Sequence, residues 1–107
     1  MDDSRIALEA DYRVALIGAL RQTASGTWGL FGHNPKDRAA EARAAPVIAG
    51  LVETGAAVDA ARETLDMEPF DLHRQFLAAR GPVESSAVGE PKQARAWLDR
   101  LEAEGGA

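Results

Sequence analysis

The chain has 107 residues, the length of one domain, and 46% of them are hydrophobic, an ordinary supply for a single core. It contains no cysteine, which removes disulfides, thiolate metal sites and cysteine nucleophiles together. Twelve Lys and Arg against 17 Asp and Glu leave a net charge of -5, which disfavours nonspecific attachment to nucleic-acid backbones or anionic lipid.

The first predicted element is a helix opening near Ser4 and running to about Gln22 or Thr23. Leu8, Tyr12, Leu16 and Leu20 recur at intervals of four, with Ile17 and Ala19 beside them, and so form one apolar ridge. Asp2 and Asp3 at its amino end complement the helix dipole. Gly18 inside the run weakens the helix by about 1 kcal/mol relative to alanine unless another helix packs closely there.

The stretch from Ala24 to Lys36 is too glycine-rich for either regular period, yet it carries Trp28, Leu30 and Phe31. It reads as a loop with apolar cargo. Asn34 followed by Pro35 predicts a helix start at 35, with asparagine as cap and proline in the first position. Pro46 is expected to kink or split that helix, because the residue before proline is pushed out of the α region. Gly55 has the position of a left-handed end after Val47, Ile48, Leu51 and Val52.

Val58, Ala61 and Leu65 then predict a short third helix. A fourth is expected from an Asp66 cap, with Phe70, Leu72, Phe76 and Leu77 on its apolar side, ending near Arg80. Residues 82–90 read as a linker between a core domain over 1–81 and a C-terminal amphipathic helix over 91–105. In that last helix Ala94, Trp97, Leu98 and Leu101 share a face, and the pairs Arg95/Asp99 and Arg100/Glu104 lie outside. The face packs on the parent bundle or on a second subunit. No stretch alternates at period two and no repeat is visible, so the expectation is an all-α bundle of four to six short helices.

The loop is the most unusual stretch, with glycines at 26, 29 and 32 around Trp28, Leu30, Phe31 and His33. It lacks the Gly-Lys-Ser/Thr ending of a phosphate-binding loop, and no strand precedes it as a dinucleotide fingerprint requires. One reading has Trp28 and Phe31 plugging the end of the bundle. The other makes Trp28, Leu30, Phe31, His33 and Asn34, with Trp97 of the last helix, a surface for a partner or ligand, since aromatics on permissive loops are typical hot spots. His33 and His73 lie forty residues apart with no metal-ligand spacing, so no metal site is expected. The carboxylate pairs Asp59/Glu63 and Glu68/Asp71 read as solvated helix faces, and no serine has a nucleophile-elbow context. Neither a catalytic residue nor a cofactor follows.

Residues 54–80 have the outline of a helix-turn-helix. Its would-be reading helix begins with Glu68 and Asp71, however, where a DNA reader presents Arg, Lys, Gln or Asn. The residues thus favour a small non-catalytic interaction or regulatory protein, binding another protein or itself as a homodimer. A DNA-binding regulator and a small-molecule binder with a pocket under the 24–36 loop are the alternatives. The acidic excess falls in the second half, where residues 51–107 carry eleven acids and six bases, so a charged partner there is expected to be basic. An acidic start and no apolar run near the roughly 18 residues of a membrane span lead to the expectation of a cytoplasmic protein. Twenty-two alanines, with ten arginines against two lysines, suit a GC-rich bacterial genome.

Overall fold

The computed structural model describes residues 2–26, 28–31, 38–80 and 90–104. The described residues form four helices: α1 (Asp2–Ala24), α2 (Arg38–Thr64), α3 (Asp71–Ala79) and α4 (Glu90–Glu104). Among the described residues there is no strand, so the expected all-α class holds. The first two helices are long rather than short, and α2 alone sets most of the 44 Å long dimension, since 27 residues rise about 40 Å.

The central helix is α1. Its ridge of Tyr12, Leu16, Ala19 and Leu20 is buried, as the four-residue spacing predicts, with Ile17 half-buried beside it. On one side lies α2, antiparallel, through Ala44, Ile48 and Leu51. On the other lies α4, also antiparallel, through Ala94, Trp97 and Leu101. Two arginines fasten this second pairing: Arg13 donates to the Leu101 carbonyl at 2.5 Å and Arg95 to the Ala24 carbonyl at 3.2 Å. Arg95 therefore serves the end of α1, capping a carbonyl where the dipole favours a cation. Arg100 lies over the Trp97 ring, 4.6 Å from its centroid.

Three expected helix ends are corrected. The second helix is not split at Pro46 but runs through it. Ala42 and Pro46 are both exposed, so the Ala42 carbonyl that loses its backbone donor can take water instead. Gly55 does not end a helix either; it is an interior residue of α2, and the segment expected as a third helix is the last part of the same element. Nor does Asp66 start a helix. It adopts φ 59° just past the end of α2, while Asp66 N–H reaches the Glu63 carbonyl at 3.0 Å and Met67 N–H the Arg62 carbonyl at 2.8 Å. That is the Schellman arrangement with aspartate where glycine is usual. The start of α3 is instead bonded from α2, through Asp59, which accepts the Phe70 N–H at 2.8 Å.

The helix start expected at Asn34-Pro35 and the linker over 82–90 except Glu90 lie outside the described residues. One further expectation is corrected. Ala39–Thr64 is long and apolar enough, by length and composition, to cross a membrane. Its many alanines, with Val47, Ile48, Leu51, Val52 and Val58, raise the average even though Glu41, Arg43, Glu53 and Asp59 interrupt the apolar sequence.

Candidate functional site

Two side-chain groupings outside ordinary core packing come from this arrangement. The first joins α1, α2 and α3. His73, with Phe76, faces inward from α3 and is 4% exposed. Its Nδ1 lies 2.7 Å from the Tyr12 hydroxyl, and the rings meet edge-on with centroids 5.1 Å apart. Phe70 makes a second edge contact with Tyr12 at 5.3 Å. Burial holds the imidazole below its usual range, against an opposing pull from Asp59. Burial, aided by the Asp59 charge, pushes the Tyr12 phenol up. With Tyr12 protonated and His73 neutral, the bond is assigned as Tyr12 O–H donating to Nδ1, the ring carrying its hydrogen on Nε2. Gly55 makes room for this ring: a Cβ there would overlap His73. The pair docks α3 against α1 and α2.

The second grouping is an open apolar groove between α1 and α2, about 340 Å³ in volume. Val14, Gly18 and Gln22 of α1 form one wall, and Val47 of α2 with Trp28 forms the other. Val14 is 72% exposed, and Trp28 and Val47 are half-buried. Burying such a patch is worth about 25 cal/mol per Å² of apolar surface, so its exposure in the isolated chain is a standing cost. Gln22 is the one polar lining residue.

The residues singled out from sequence divide between these surroundings. Leu30 and Phe31 are fully buried and close the end of the bundle. Phe31 meets Trp97 with centroids 5.8 Å apart and planes tilted by 45°, and Trp97 is only 8% exposed. The segment is pinned by Gly29 N–H to the Ala40 carbonyl at 3.0 Å and by Arg80 to the Leu30 carbonyl at 3.0 Å. Of Trp28, Phe31 and Trp97, only Trp28 lines the open groove. His33 and Asn34 lie outside the described residues. Val14 escaped the sequence reading because it belongs to no ridge, and Gly18 and Val47 were read only within their own helices; a β-branched residue two places from Tyr12 was the available sign.

The outward side of α3 carries Asp71, held below the usual carboxylate range chiefly by Arg74 and then by Gln75, which donates to it at 2.5 Å. Both side chains that could address a base or phosphate are thus occupied by an acid of their own helix. Among the described residues no group of three His, Asp or Glu could hold a metal ion. No protein-family model, curated protein or solved structure matches this chain.

Proposed function

We propose that this protein is a non-catalytic binding module for another polypeptide, and that it docks through the groove between α1 and α2 rather than through the buried part of the glycine-rich loop. The single observation behind this reading is Val14 standing 72% exposed in an apolar groove walled by Trp28 and Val47. The half-buried Trp28 in this groove has the chemistry of an interface hot spot, and Val14 adds apolar surface beside it. A small-molecule site would want several convergent polar groups, and Gln22 is alone. A DNA reader would want free cations on α3, where Arg74 is bonded to Asp71.

The test places a photo-cross-linking amino acid at Val14 in the cells that make the protein. The expected result is a discrete protein adduct that does not form when the same group replaces exposed Ala103 of α4. If position 14 gives no more adduct than position 103, the groove is not a docking surface.

A further inference from the structure

The outward stripe of α1 is self-complementary. Asp11, Val14, Gly18 and Arg21 lie along it, separated by three or four residues, and all four are exposed. Two α1 helices laid antiparallel about a two-fold axis at the level of residue 16 bring Asp11 of each copy opposite Arg21 of the other. The same operation sets Val14 of each copy over Gly18 of the other. An isologous contact requires this reciprocity, and few stripes with one acid and one base satisfy it together with a knob and a hole.

Gly18 supplies an independent observation. A Cβ at that position would meet nothing within 4 Å, so nothing in the chain's own packing calls for glycine in the middle of a 23-residue helix. A second helix approaching closely over Gly18 does call for it. The groove beside it, bounded by Trp28 and Val47, is where the incoming valine lands. Among the described residues neither Asp11 nor Arg21 has a side-chain partner within the chain.

We infer that the occupant of the groove is a second copy of this chain, held antiparallel through α1 by reciprocal Asp11–Arg21 pairs flanking reciprocal Val14–Gly18 contacts. This inference rests on the docking role proposed above and names the partner. Residues 11 to 21 span about 15 Å, roughly three turns on each side, which places the contact at the weak end of specific interfaces.

The experiment is sedimentation of the full chain from about 10 µM to about 1 mM, a range that captures weak dimers. The wild type is expected to self-associate. Asp11→Arg and Arg21→Asp are each expected to weaken association at least tenfold, because each makes both pairs repulsive. An equimolar mixture of the two single variants, and the double variant alone, are expected to recover it. Val14→Asp should be monomeric with an unchanged circular dichroism spectrum, since the residue is exposed. A wild type that stays monomeric throughout overturns the inference, as does a dimer indifferent to both reversals or a double variant that fails to recover. If the chain is monomeric while the cross-linker at Val14 captures a different protein, the groove keeps its docking role and the second copy is excluded.

Discussion

Tyr12 on α1 and His73 on α3, 61 residues apart, share a buried hydrogen bond of 2.7 Å that links the central helix to the shortest one. Its worth lies mainly in what is left when it is cut. Tyr12→Phe keeps the ring and its edge contacts but leaves Nδ1 buried without a donor, an asymmetry that costs about 1–3 kcal/mol. Urea denaturation measures this, and a variant as stable as the parent would mean that the bond contributes nothing net.

The same pair gives stability two pH edges. The imidazole's folded pKa lies below its ordinary 6.5, so the unfolded chain binds the proton first. Stability is complete above about 6.5 and falls as the pH drops from there toward the folded value. The phenol's folded pKa lies above its ordinary 10.0, so its contribution is complete below that value and is lost as the pH rises beyond it. The groups facing the ring are Tyr12 of α1 and Asp59 of α2, and the Asp59 charge partly offsets the acid edge. Denaturant midpoints from pH 5 to 8 should slope for the parent and flatten for His73→Gln; parallel curves would assign the slope to other groups.

Much of this architecture is legible in the sequence wherever one helix face meets one neighbour. The Tyr12, Leu16 and Leu20 ridge is read directly because its burial follows a single local period. The errors arise where a residue with a strong local meaning serves a distant one. Gly55 looks like a helix end because glycine usually is one, yet it is small for the sake of His73, eighteen positions on. Asp66 looks like the start of a helix because aspartate caps amino ends, yet it bends the chain away from the previous one. The groove is hidden for the same reason: Val14, Trp28 and Val47 become neighbours only when α2 folds back along α1.

Two glycines in helix interiors are therefore expected to respond oppositely to alanine. At Gly18 the new methyl meets open space, and the gain in helix propensity should stabilise the isolated monomer by about 0.5–1 kcal/mol. At Gly55 it collides with a ring that Tyr12 holds in place, and overpacking of this kind costs about 1–3 kcal/mol. Thermal melts at low protein concentration compare the two. Equal shifts in the same direction would contradict the placement of His73 against α2.

Whether the glycine-rich loop is a plug or an anchor is decided by Phe31. Its ring is fully buried against Trp97 of α4, so truncation leaves a cavity rather than a smaller surface. Phe31→Ala should cost about 3–5 kcal/mol, the range for large aromatic deletions in a core. In a Trp28→Phe background, Trp97 is the only remaining tryptophan, and its emission should shift to the red as water reaches the vacated space. An anchor would behave otherwise: removing it would weaken association with a partner and leave both the melting temperature and the Trp97 emission where they were. Because Arg80 and Ala40 hold the same segment through its backbone, the loop should stay in place when the ring is gone, and the lost stability then measures the ring alone.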